Sequence, residues 1–141
     1  MEIVANALQT VEENGNVLFT DTVTCGNCSI SHRAGSGLIT LRGLTCQCRA
    51  RYKVSFGGNV ALPTGGTVEA ISLAIAIDGE PVATTTMIVT PAAVEEFFNV
   101  FGAIFIDVPK GCCVSVAIEN NSETAEAILV RNSNLTVNRV G

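Results

Sequence analysis

The sequence predicts an all-β protein, a single antiparallel sandwich of eight to ten strands, and three observations carry that prediction. From Asn16 onward, short apolar segments alternate with clusters of Gly, Asn, Ser, Thr and Pro, the spacing of β-sandwiches and barrels. Residues 49–59 alternate cleanly, with Ala50, Tyr52, Val54 and Phe56 on one face and Arg49, Arg51, Lys53 and Ser55 on the other. No segment carries a helical stripe longer than about three turns.

Residues 1–14 read as an N-terminal arm ahead of one domain over residues 15–141. Residues 17–20 read as a first strand and residues 37–42 as another, entered through the Gly35-Ser36-Gly37 turn, with Ile39 and Leu41 on its apolar face. In residues 49–59 the charged row is the wet face of a half-buried strand. Residues 71–77 place Ile71, Leu73, Ile75 and Ile77 opposite the small Ser72, Ala74 and Ala76, so this strand is covered on both sides, and the low charge total favours a neighbouring subunit as the cover. Asp78-Gly79 supplies a hairpin turn, because Gly tolerates the positive φ such turns require, and residues 82–90 return from it. One short helix is predicted over residues 91–101: Thr90 can cap it, Pro91 suits its first turn, and Val94, Phe97, Phe98 and Phe101 fall at i, i+3, i+4 and i+7. Strands resume at residues 103–108, 113–119, near 128–131, and at 135–140.

Of the 141 residues, 48% are hydrophobic and only 15% charged, where an ordinary globular chain carries about a quarter charged. Low hydrophobicity with high net charge marks disorder, and this chain has the opposite bias. A mean hydropathy of +0.42 implies that part of the exterior is hidden against other subunits. The net charge of −5 repels a phosphate backbone and argues against nucleic acid as a partner. Asp78 and Asp107 interrupt the two most apolar stretches, so no membrane span is expected. The opening Met1-Glu2-Ile3-Val4-Ala5-Asn6 lacks the basic start of a secretory signal, and folding in a bacterial cytoplasm is expected. Asn27, Asn120 and Asn134 head Asn-x-Ser/Thr triplets, read as turn and strand residues rather than glycan acceptors.

The order of several pieces carries a resemblance. Gly15-Asn16-Val17-Leu18-Phe19 is followed by Ile30, by Gly35-Ser36-Gly37-Leu38-Ile39-Thr40-Leu41, and by Tyr52-Lys53-Val54-Ser55-Phe56 with Asn59. The stretch from Ser72 to Val82, the Val108-Pro109-Lys110-Gly111 turn and the closing Asn134-Leu135-Thr136-Val137-Asn138-Arg139 complete it. Together these resemble the trimeric jelly-roll domains of the tumour necrosis factor and complement globular-head superfamily, in the bacterial and phage branch that also tips collagen-like spore filaments. The resemblance implies a jelly roll of about ten strands in a compact homotrimer, with one sheet of each subunit buried around the threefold axis. Three features depart from it: the Cys46-Gln47-Cys48-Arg49-Ala50-Arg51 stretch, the helix signal over residues 91–101, and the missing collagen-like stalk.

The six cysteines form Cys25-x-x-Cys28, Cys46-x-Cys48 and Cys112-Cys113. Four thiolates make a structural zinc site, and Cys25, Cys28, Cys46 and Cys48 are the numerically suitable set, although zinc ligands prefer a wider spacing than Cys46 and Cys48 have. A redox pair in the first motif would need a helix N-terminus where Gly26-Asn27 reads as a turn. Disulfides within or between chains suit a particle that is oxidised after release, and burial as small apolar thiols suits a packed sandwich. No cofactor is expected, with zinc as the alternative. His32 is the single imidazole, and no Gly-x-Ser-x-Gly elbow or Cys–His signature accompanies it. Glu95 and Glu96 diverge as sequence neighbours, and the Gly57-Gly58 and Gly65-Gly66 pairs lack the context of a phosphate loop. These residues do not add up to an enzyme.

The expected function is that of a homotrimeric structural surface protein of a bacteriophage virion, a capsid decoration or similar auxiliary, with itself and other virion or surface-layer proteins as partners and the virion surface as its destination. The alternative is a fibre tip or spore-surface head of the same fold recognising a receptor or glycan, a role that the scarcity of Tyr and Trp disfavours. The expected subunit interface comprises Ile71, Leu73, Ala74, Ile75 and Ala76 with Phe97, Phe98, Phe101 and Phe105.

Overall fold

A computed structural model describes residues 1–24, 29–43, 48–63, 69–122 and 127–140. It is an all-β jelly-roll sandwich whose strands are β1 (Glu2–Ala5), β2 (Gln9–Val11), β3 (Asp21–Thr24), β4 (Ile30–His32), β5 (Ile39–Arg42), β6 (Arg49–Ala61), β7 (Ile71–Ile77), β8 (Glu80–Pro81), β9 (Met87–Val89), β10 (Phe98–Pro109), β11 (Cys113–Asn120) and β12 (Ile128–Arg139). A 3-10 turn over Ala83–Thr85 separates β8 from β9. Sheet A runs β10-β6-β12-β1-β3, with β2 also on β12, and sheet B runs β4-β5-β11-β7-β8, with β9 also on β7. From β5 to β7, and again from β10 to β12, each strand lies in the opposite sheet from its predecessor, so the connections cross the ends of the sandwich. Among the described residues no helix is long and apolar enough to cross a membrane.

The period-two strands behave as their sequence dictates. Ala50, Tyr52, Val54 and Phe56 of β6 are fully buried, as are Ile39 and Leu41 of β5. The Phe56 ring meets Phe19 edge-on at 6.4 Å and 77°, an arrangement that adds about 0.5–1.5 kcal/mol to the burial itself. Tyr52 Oη donates to the Arg42 carbonyl at 2.6 Å, which ties sheet A to sheet B and satisfies the one polar atom of that buried ring. At the β7–β8 hairpin, Asp78 and Gly79 both take positive φ, 52° and 87°, as a two-residue turn demands.

Several expectations need correction. Residues 91–101 form no helix. Pro91 is buried, Glu95 takes φ 60° with its N–H donated to the Leu62 carbonyl, and from Phe98 the chain is extended and paired without a break against β6, Phe98 opposite Val60 through Pro109 opposite Arg49. The cap and stripe signals are local, and a twelve-residue ladder against β6 overrides them. The N-terminal arm is not separate, because β1 lies between β12 and β3 in sheet A and β2 also pairs with β12. Buried Asn120 holds the arm in place: its Nδ2 donates to the Val11 carbonyl at 3.1 Å, and its carbonyl accepts the Asn14 N–H at 3.0 Å. The two C-terminal strands are one, β12, bent by an irregularity between Arg131 and Asn134 where Asn132 takes φ 52°. Residues 82–90 are interrupted by the 3-10 turn, and residues 17–20 precede rather than form β3.

Candidate functional site

Alternation along β10 sends Val100, Ile106 and Val108 into the core and leaves Phe101 and Phe105 on the outer face of sheet A, 67% and 61% exposed. Each aromatic has a cross-strand neighbour on β6 that shapes its surroundings. Phe101 stands opposite Gly57, where the missing side chain leaves a floor between the ring and Asn134 of β12. Phe105 stands opposite Lys53, whose Nζ lies 5.9 Å from the ring centroid in a cation–π contact. Next along, Arg51 grips Asp107 with two hydrogen bonds of 2.8 and 3.1 Å, and Arg49 approaches the same carboxylate at 3.4 Å. The Arg51 hydrogen bonds hold the Asp107 carboxyl below the usual carboxylate range.

Toward the middle of the sheet this face turns to short polar groups. The row Ala103, Ser55, Thr136 and Glu2 crosses β10, β6, β12 and β1 in register. Glu2 accepts a hydrogen bond from Asn134 Nδ2 at 3.2 Å, and Met1, Glu2, Thr136 and Asn138 line a shallow hollow. The outer face of sheet A therefore has a bulky apolar margin on β10, a basic end at Arg49, Arg51 and Lys53, and a low polar centre. Burying the exposed part of each phenylalanine would contribute about 1–2 kcal/mol, so the margin is suited to contact with another surface.

The expected interface residues divide. Phe97, Phe101 and Phe105 are exposed, whereas Phe98 falls on the inward side of β10 and is half-buried. The β7 residues are a correction: Ile71, Leu73 and Ile75 project into the sandwich core, and Ala74 and Ala76 are 0% and 1% exposed within one chain. The cover on both sides of β7 is intrachain, so this strand has no surface to offer a neighbour. Period-two reading of residues 97–109 would have found Phe101 and Phe105 as a row, whereas Lys53, Gly57 and Asn134 become their companions only through the strand register.

Of the proposed zinc ligands, Cys25, Cys28 and Cys46 lie outside the described residues, and Cys48 is an exposed free thiol. Cys112 and Cys113 are also exposed and free, so burial as small apolar residues does not hold for these three. Among the described residues no three His, Cys, Asp or Glu side chains gather as a metal set. His32 sits in β4 with Nε2 2.9 Å from the Ser36 carbonyl, and its buried Nδ1 has no hydrogen-bond partner among the described residues.

On the outer side of sheet B, Glu119 of β11 stands opposite Ala74 and is only 9% exposed, and burial pushes its carboxyl above the usual range. A carboxyl with a raised folded-state pKa binds protons more tightly folded than unfolded, so it opposes folding increasingly as pH rises through that range. Glu119→Gln is therefore expected to raise Tm at pH 7, with the difference closing toward zero below about pH 4, where the unfolded-state carboxyl is also protonated. Thermal melts of both proteins from pH 3.5 to 8 measure this, and an equal Tm offset at every pH would contradict it.

No protein-family model matches the chain, and no curated protein does. Among solved structures, the globular domain of zebrafish complement 1qA protein is similar at 15% identity over 96% of this chain and 93% of that one, with a TM-score of 0.63. The C-terminal domain of EclA, a sugar-binding protein, matches 95% of this chain and 79% of its own at 14% identity and a TM-score of 0.44. The CBM35 from Cellvibrio japonicus Abf62 matches 100% of this chain and 98% of its own at 10% identity and a TM-score of 0.39. The first likeness establishes that the chain shares the jelly-roll fold of the complement globular domain, and the other two are too loose to carry an argument.

Proposed function

We propose that this jelly roll is a structural homotrimer on the surface of a bacteriophage particle, assembled through the outer face of sheet A and acting without catalysis or cofactor. The observation that carries the reading is the row of Phe101 and Phe105, more than half exposed on a rigid twelve-residue ladder in a chain otherwise poor in exposed charge. Because β10 is the edge of sheet A, packing its aromatic margin against a second subunit also shields an edge that would otherwise invite unspecific strand addition. A contact of one subunit's β10 margin with a different part of another's sheet A is heterologous, and three such contacts close into a ring when each turns the next subunit by a third of a revolution. The threefold number and the phage setting rest on the sequence resemblance to trimeric jelly-roll domains of that branch. The hollow at Met1, Glu2, Thr136 and Asn138 lies on the face that assembly covers, which favours a structural role over a glycan-binding tip.

Particles purified on a density gradient from the producing host are expected to carry the chain in many copies, measured by mass spectrometry of the particle fraction. Its absence from every particle fraction would contradict the virion role.

A further inference from the structure

At one end of the sandwich, backbone hydrogen bonds join two cysteine-bearing segments from distant parts of the sequence to a single turn. The turn from Pro109 to Cys112, closed by the Cys112 N–H on the Pro109 carbonyl at 3.0 Å, carries the chain from β10 in sheet A to β11 in sheet B. It is clamped on both sides by backbone bonds: the Lys110 N–H donates to the Cys48 carbonyl at 3.1 Å, and the Gly43 N–H donates to the Cys112 carbonyl at 2.8 Å. Cys48 immediately precedes β6 and Cys112 immediately precedes β11. The alternation that sends Ala50 of β6 into the core sends Cys48 to the same side, and the alternation that sends Val116 of β11 inward sends Cys112 inward from the opposite sheet. Cys113, in register with Arg42, falls on the outer side of sheet B. Cys48 and Cys112 are nevertheless exposed, because they lie beyond the last packed layer.

We propose that Cys48 and Cys112 are a thiol–disulfide exchange site at the mouth of the sandwich, which takes small-molecule disulfides such as oxidised glutathione and closes as an intrachain Cys48–Cys112 bridge. The Cys48 thiolate attacks one sulfur of oxidised glutathione, the small S–S bond breaks and one glutathione thiolate leaves. The Cys112 thiolate then attacks the Cys48 sulfur of the mixed disulfide and releases the second glutathione. Both thiol protons pass through water to the departing thiolates, so the protein loses two electrons and the small disulfide gains them. Cys113 takes no part because it points away from the mouth. The bridge joins the start of β6 to the start of β11 and closes a long loop, which stabilises the folded state.

The test uses the full reduced chain incubated with oxidised glutathione and mapped by non-reducing tryptic mass spectrometry. The expected product is peptide 43–49 linked to peptide 111–131, with intact mass lower by two hydrogens for this bridge and Tm higher by about 10 °C, reversed by reductant. Cys46 and Cys113 share those peptides, so the link is expected to persist in Cys46→Ser and Cys113→Ser and to vanish in Cys48→Ser and Cys112→Ser. Loss of the link in Cys113→Ser or Cys46→Ser would overturn the assignment. So would stable glutathione adducts on Cys48 and Cys112, a bridge from either to Cys25 or Cys28, or a covalent dimer. The readout is independent of assembly, because an intrachain bridge gives the same map from one subunit as from three.

Discussion

Replacing Phe101 and Phe105 together by Asp is expected to leave a folded monomer. Both rings are exposed within one chain, 67% and 61%, and neither belongs to the core cluster, so the circular dichroism spectrum and cooperative melt of a single jelly roll persist. Assembly loses the burial of two aromatic side chains per subunit and meets two carboxylates at a desolvated contact. The combined effect is about 4 kcal/mol or more per interface, at least a thousandfold in dissociation. Light scattering at micromolar protein would show the mass falling to one chain. A double variant that keeps the wild-type mass would remove the outer face of sheet A as the interface. Ile75→Asp provides the contrast: Ile75 is fully buried in the core, so that substitution abolishes folding rather than assembly.

The second large effect is expected at Gly43. A Cβ there would collide with the Pro109 carbonyl oxygen, a backbone atom that cannot swing aside, and would sit 3.2 Å from the Gly111 nitrogen. Gly43 also gives its N–H to Cys112 and takes the Gly111 N–H at 3.2 Å, so the strand end and the β10–β11 turn are held through this residue from both sides. Gly43→Ala has to displace the turn and is expected to cost about 3 kcal/mol, lowering Tm by about 10 °C. Gly57→Ala is the control, because its Cβ would crowd only the Asn134 side-chain oxygen, at 3.2 Å, and a half-buried side-chain amide yields a few tenths of an ångström where a backbone carbonyl cannot. A Gly43→Ala Tm within 2 °C of wild type, in the same thermal scans, would contradict the close approach.

The parts of the fold that are legible in the sequence are those where side-chain period and burial agree. β5, β6, β7 and β11 follow from alternation, and the Asp78-Gly79 hairpin follows from the φ its turn requires. The segment over residues 91–101 misleads because capping and stripe rules see only a few neighbours. Its last residues, from Phe98, are held by β6, which lies far away in sequence, and Gly102 just beyond them leaves room for the Met87 sulfur, 3.0 Å from where a Cβ would stand. The strand β12 looks broken because the irregularity near Asn132 shifts its register partway along, an effect that periodicity alone reads as a gap. The candidate face was legible in half. The aromatics of β10 could be named, but alternation shows that β7 is covered without showing by what, and only the packed chain reveals that the cover is its own.

Joining of identical subunits through the outer face of sheet A is tested most directly by the mass of the wild-type protein in solution. Sedimentation equilibrium at micromolar concentration is expected to give a single species of about three times the 14.7 kDa chain mass. A stable species at the mass of one chain under those conditions would contradict it.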